Sequence, residues 1–114
     1  MSNANVLDLN DANFEQQVLQ SPVPVLVDFT AVWCAPCRAI SPHIDAIAAA
    51  NAGTLRVGKL DVDENHDTTT RFDVRSMPTL MVFKNGQVIG QLVGAVPRAR
   101  IEAMVQGALA RAAA

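Results

Sequence analysis

Apolar and polar positions along this chain follow two periods, and the period changes where proline, glycine or asparagine intervenes. Val6–Leu9 is a short apolar stretch that predicts a first strand. Asn10 or Asp11 then predicts a cap for a helix in which Phe14 and Val18, four residues apart, share a face. Pro22 and Pro24 introduce Val25, Leu26, Val27, Asp28 and Phe29, a nearly continuous apolar run. Such a run predicts a strand covered on both faces, which makes it the candidate for the centre of a sheet. From Cys37 the period lengthens: Cys37, Ile40, Ile44, Ile47 and Ala48 recur at helical spacing. Pro42 lies inside that helix and predicts a kink, while Asn51 and Gly53 predict its end.

Residues 55–62 return to a strand pattern, and a short helix is expected over 65–72. Beyond Met77 and Pro78, residues 79–83 read as a strand. Asn85-Gly86 then predicts a tight hairpin turn into an antiparallel partner over Gln87–Val93. Pro97 opens a final helix with Ile101, Met104, Val105, Ala108 and Leu109 on one face, continued by an alanine-rich end. The predicted order is βαβαβαββα, an α/β fold with a central mixed β-sheet and helices on both of its faces. No repeat, linker or low-complexity block interrupts it. A chain of 114 residues then predicts one domain, residues 1–114, around one core.

Composition narrows the function more than the fold. Half the residues are hydrophobic and 18% are charged, which excludes a disordered chain. A formal charge of -2 provides no basic footprint, so neither nucleic acid nor an anionic membrane is an expected partner. No apolar run approaches the length of a membrane span. The first residues have neither the basic region nor the apolar region of a secretory signal. The expectation is a monomer working in the cytoplasm or an equivalent reducing compartment.

The chain has only two cysteines, and they stand three residues apart in Trp33-Cys34-Ala35-Pro36-Cys37. A disulfide across so short a loop removes little entropy from the unfolded chain, so a structural staple is a poor explanation of the pair. Redox chemistry explains it better. A thiolate, not a thiol, attacks a disulfide, and the predicted strand-to-helix junction puts Cys34 where free backbone N–H groups and the helix dipole favour negative charge. Cys34 is then the attacking residue. Cys37, one turn further in and less exposed, resolves the mixed disulfide by attacking the Cys34 sulfur. Pro36 pre-sets φ and needs no N–H in the first turn, and Ala35 keeps that turn small. Two other readings stand beside this one. Zinc also uses C-x-x-C, but structural zinc takes four ligands, and His43 and His66 lack the usual spacing, so no metal is expected. The pair could also be inert thiols in a core.

Asp28 sits in the most hydrophobic stretch of the chain, where an unpaired carboxylate costs several kcal/mol of desolvation, on the order of the effective penalty for a buried ion. Burial raises a carboxyl pKa, which suits Asp28 to take the proton of Cys37, directly or through a water. Lys59 has the strand parity of Leu55 and Val57, so its stem points into the apolar layer, and a buried Asp28–Lys59 pair is one of two equal readings. The alternative is that Asp28 only ends a strand and Lys59 runs out to solvent.

Taken in order and spacing, Asp28-Phe29, Trp33-Cys34-Ala35-Pro36-Cys37-Arg38, Pro42, Lys59, Met77-Pro78-Thr79, Phe83-Lys84-Asn85-Gly86 and Val93-Gly94-Ala95 resemble the thioredoxin family over nearly the whole chain. The resemblance implies the thioredoxin fold and a thiol-disulfide oxidoreductase with no bound cofactor, its redox group being the Cys34–Cys37 disulfide. It implies a cis peptide bond before Pro78, a backbone at Met77 that pairs with an extended substrate, and an apolar docking surface of Trp33, Met77, Pro78, Val93, Gly94 and Ala95. Arg38, His43 and His66 are expected to be solvated surface groups.

Two residues depart from the family pattern. Ala35 replaces the usual glycine between the cysteines, and Thr30 stands where many members carry an aromatic residue; with Pro36, Ala35 is the candidate for tuning the redox potential. The chain has no G-x-G-x-x-G fingerprint, so its electrons come from a partner. That partner is expected to be an NADPH-dependent thioredoxin reductase, and the substrates disulfide-containing client proteins. A dedicated redox partner of one enzyme, and a binding module without thiol turnover, are the alternatives.

Overall fold

The structure is a computed structural model, and it describes residues 4–113. Residues 1–3 and 114, part of the N-terminal stretch and of the alanine-rich end read above, lie outside the described residues. Five strands form one sheet: β1 (Val6–Leu9), β2 (Val25–Thr30), β3 (Arg56–Asp61), β4 (Thr79–Lys84) and β5 (Gln87–Val93), in the spatial order β1-β3-β2-β4-β5. Strands β1, β3 and β2 are parallel; β4 pairs antiparallel with β2, and β5 antiparallel with β4. The apolar run 25–29 is therefore the middle strand, as its composition predicts. It buries side chains on both faces because helices cover both.

Alternation along the strands divides the interior into two layers. Val25, Val27 and Phe29 point to one face and join Leu60, Met81, Phe83, Phe14 and Val18. Phe14, Phe72 and Phe83 close this layer, with ring centroids 5.1–5.6 Å apart and two edge-on contacts. Leu26 points to the other face, with Val57, Leu80 and Val82. Helices α1 (Ala35–Ala50) and α3 (Arg98–Ala113) cover that side with Ile40, Ile44, Ile47, Ile101 and Val105, while the short α2 (His66–Arg71) belongs to the opposite side. The described residues thus have the mixed sheet and two-sided helical cover of the predicted α/β thioredoxin fold.

Local differences from the sequence reading have identifiable causes. The first helix is only a π-helical turn, Glu15–Leu19. Asn10 and Asn13 hold its entry by exchanging bonds, each side-chain Oδ1 accepting the other's N–H at 2.8 Å. Asp11 is thereby free to cap a different helix: its carboxylate accepts from the N–H and hydroxyl of Thr68 at 2.9 and 2.6 Å, at the start of α2. These donors hold its pKa below the usual carboxylate value. Helix α1 runs unbroken through Pro42 to Ala50, where the Asn51 N–H and side-chain amide both bond the Ile47 carbonyl. At the hairpin Asn85 and Gly86 have φ of 54° and 77°, both in the left-handed region that the asparagine–glycine pair allows. A bulge between Val82 and Phe83 shifts the β4–β5 register, a feature that alternation does not reveal.

Gly58, in β3 between two parallel neighbours, permits a close strand approach. A Cβ there would lie 2.5 Å from Leu9 Cδ1 and 2.7 Å from Leu9 Cγ, and Leu9 is itself buried. Gly58→Ala is expected to lower stability by about 1–3 kcal/mol through overpacking. Guanidinium unfolding measures this, and an unchanged midpoint would show that Leu9 has room to move.

Candidate active site

Strand β2 ends at Thr30, and four residues later the chain enters α1. Cys34 is the N-cap residue of that helix, with extended φ and ψ of -91° and 106°; Ala35 and Pro36 form the first turn. The N–H of Cys37 points at Cys34 Sγ, 3.2 Å away. One of the orphan donors of the helix start is therefore satisfied by the sulfur. The same donor and the helix dipole favour a thiolate on Cys34 when the disulfide is open. In the structure the two cysteines form a disulfide with Cα atoms 5.3 Å apart. Both are buried, Cys34 at 3% and Cys37 at 2% exposure, so the expected difference in access is absent from the oxidised form.

The second wall of the site comes from the start of β4. The Met77–Pro78 peptide bond is cis, and the Met77 carbonyl oxygen lies 3.8 Å from Cys34 Sγ. The Gly94 N–H bonds the Pro78 carbonyl at 2.8 Å, with Gly94 at φ 98°, a conformation that suits a residue without Cβ. This bond ties the loop after β5 to the cis-proline turn. Trp33, Met77, Val93, Gly94 and Ala95 are at least partly exposed, whereas Pro78 is buried beneath them.

Two residues that the sequence reading passed over belong to this rim. Among the described residues Val32 is the most exposed large apolar side chain, at 78%, and its carbonyl accepts from Arg38 Nη1 at 2.9 Å. Asp63 accepts the Trp33 indole N–H at 2.6 Å and fixes the ring, which is 63% exposed. A place two residues before Cys34 is the only sequence signal for Val32. Asp63 lies thirty residues away and has none.

On the α1 side of the sheet, Asp28, Cys37, Ser41 and Lys59 line a common cleft of about 280 Å³, with Thr30, Arg38 and Asp61 at its margins. Asp28 is 1% exposed, and its Oδ1 has no hydrogen-bond partner. Burial pushes its pKa up to about 7; the Lys59 charge opposes that rise and the Asp45 charge adds to it. Lys59 stands opposite Asp28 in the β2–β3 register, with the stem direction its parity predicts. Neither of the two sequence readings holds as it stands: no Asp28–Lys59 ion pair is formed, and the lysine does not run free into solvent. The Lys59 ammonium donates to Ser41 Oγ at 2.6 Å and pairs with Asp45 Oδ1 at 3.2 Å. A signal for these partners was present, since Cys37, Ser41 and Asp45 recur every four residues along one face of α1.

No group of three or more His, Cys, Asp and Glu side chains suited to a metal occurs among the described residues. No described helix is long and apolar enough to cross a membrane. A family model described as Thioredoxin matches residues 5–107. Thioredoxin of Haemophilus influenzae is 46% identical over 98 residues, 86% of this chain and 92% of that protein. Thioredoxin of Alicyclobacillus acidocaldarius is 47% identical over 103 residues, 90% and 97% of the two chains, and thioredoxin 1 of a Nostoc species is 49% identical over 90 residues, 79% and 84%. Family membership implies disulfide-containing substrates and a reductase, with a redox disulfide supplied by the protein itself. With the match running through both walls of the Cys34–Cys37 site, this chain belongs to the thioredoxin family and is a thiol-disulfide oxidoreductase.

Proposed function

We propose that the protein reduces client-protein disulfides as a single-domain monomer in the cytoplasm, and that a separate NADPH-dependent thioredoxin reductase returns it to the dithiol. The Cys34 thiolate attacks one sulfur of the client disulfide; that S–S bond breaks, a Cys34–client disulfide forms, and the other client sulfur leaves as thiolate. The Cys37 thiol then gives its proton to the Asp28 carboxylate and attacks Cys34 Sγ. The second client sulfur leaves, the Cys34–Cys37 disulfide closes, and two electrons have passed to the client.

One observation carries the proton step: a buried carboxyl with an unpartnered Oδ1 lines the same cleft as Cys37. A pKa of about 7 lets Asp28 accept a proton and release it again near neutral pH. The cleft gives water a route between the two groups. The face of Trp33, Met77, Val93, Gly94 and Ala95, with Pro78 beneath it, receives an extended client segment. The Met77 backbone beside Cys34 Sγ supports a main-chain contact there.

Three results test this reading. Turnover of a protein disulfide with NADPH and thioredoxin reductase is expected for the parent and absent for Cys34→Ser, while Cys37→Ser accumulates a client disulfide on Cys34. Failure of Cys37→Ser to trap that adduct would overturn the assignment of roles.

Asp28→Asn tests the acid twice. In the unfolded chain Asp28 ionises near 3.8 and in the folded one near about 7, so between these values the folded state holds a proton that the unfolded state has lost. The stabilisation is complete below pH 3.8 and is lost as pH rises through 7. The variant is expected to be more stable than the parent at pH 8 by about 4 kcal/mol, roughly three pH units at about 1.4 kcal/mol each, and nearly equal to it at pH 4. Denaturant unfolding at both values measures the difference. The variant also resolves mixed disulfides more slowly, and a parental rate across the pH range would remove Asp28 from the mechanism.

Ala35→Gly is expected to change the redox potential or the rates with partners while leaving the circular-dichroism spectrum unchanged. Equilibration with glutathione measures the potential, and identical potential and rates would make Ala35 neutral.

A further inference from the structure

Asp28, Lys59 and Asp8 form one row across the sheet, because each is in register with its neighbour on the adjoining strand. The fourth position of the row, on β4, is Leu80. Neighbouring strands lie about 4.8 Å apart. Nothing in the sheet therefore keeps the Lys59 ammonium from the Asp28 carboxylate. Helix α1 does. Ser41 and Asp45, one turn apart on the face that also carries Cys37, take the ammonium at 2.6 and 3.2 Å. Asp28 Oδ1 is left without a partner.

The other charged groups around the cleft do not compensate. Arg38 of α1 is turned outward to the Val32 carbonyl. Asp61 of β3 accepts the Asp63 N–H. Asp8 is exposed at the outer strand, on the far side of Lys59. Lys59 thus lines the cleft together with the buried Asp28 while its ammonium pairs with the partly exposed Asp45.

We propose that Asp45 is a positioning residue: it holds the Lys59 ammonium on α1, away from the central strand, and so sets the pH at which Asp28 takes up and releases its proton. A single, partly exposed pair of this kind contributes little to stability. Its effect comes from where it keeps a charge, since an ammonium moved against a buried carboxylate favours ionisation strongly. The proposal deepens the assignment of Asp28 as the proton acceptor for Cys37 and rests on it for its functional consequence, but not for its physical content.

The test is a carboxyl-¹³C NMR titration of Asp28 in the oxidised protein, for the parent, Asp45→Asn, Lys59→Met and the double variant. Asp45→Asn is expected to lower the Asp28 midpoint by about 0.5–1 pH unit, because the ammonium, still bonded to Ser41 Oγ but no longer paired with a carboxylate on α1, shifts towards Asp28. Lys59→Met is expected to raise it. In the Lys59→Met background, Asp45→Asn should shift the midpoint by less than half as much, because only its direct, more distant charge remains. An unmoved midpoint in Asp45→Asn, or an equal shift in both backgrounds, would overturn the positioning role. The pH profile of mixed-disulfide resolution separates the two claims. If the NMR midpoint moves and the kinetic profile does not, Asp45 positions Lys59 as proposed and Asp28 is not the proton acceptor.

Discussion

The bond from the Cys37 N–H to Cys34 Sγ is the contact on which the reactive end of this molecule depends. A helix cannot begin without leaving backbone donors unsatisfied, and here a sulfur takes the place that a serine or aspartate oxygen usually fills. That single substitution of atom type turns a structural requirement into a chemical device. The donor that caps the helix is the donor that favours a thiolate, and the covalent partner of that sulfur sits one turn along the same helix. Pro36 fits because the first turn has no use for its missing N–H.

What brings the rest of the site to this point is the sheet. Parallel β1, β3 and β2 require crossover connections, and these put α1 against one face with its N-terminus beyond the C-terminal end of the middle strand. Antiparallel β4 starts beside that same end, so the Met77–Pro78 turn arrives next to Cys34. The Gly94 bond to Pro78 carries the loop after β5 to the same place. One end of the sheet thus brings to Cys34 segments that lie about forty and sixty residues further along the chain. The opposing chemistry, a buried acid, lies one layer below, on the middle strand of the sheet.

Burial and charge divide the work at that acid. Desolvation raises the Asp28 pKa, and the Lys59 charge opposes that rise. By holding the ammonium at Ser41 and Asp45, helix α1 leaves the carboxyl Oδ1 without a partner while keeping a cation in the lining of the same cleft. The cost falls on stability above neutral pH, where a charged Asp28 has to remain inside the core.

Much of this molecule was determined locally and was legible in the chain itself. The strand at 25–29 followed from an unbroken apolar run, the hairpin from Asn85-Gly86, the long helices from apolar residues at 3.6-residue spacing, and the redox pair from two cysteines too close together to serve as a staple. Each of these is a short-range property, because side-chain periodicity and turn chemistry depend only on neighbours within a few residues. Tertiary structure decided whatever depends on which strangers meet. Asp11 caps α2 rather than the helix that follows it, Asp63 pins Trp33, and Lys59 turns from its opposite number in the sheet to two acceptors on a helix. A lysine stem of four carbons reaches several acceptors, and strand parity fixes only the direction in which it leaves the sheet. Which acceptor it meets is set by the packing of α1 on β3, and that is a property of the folded chain alone.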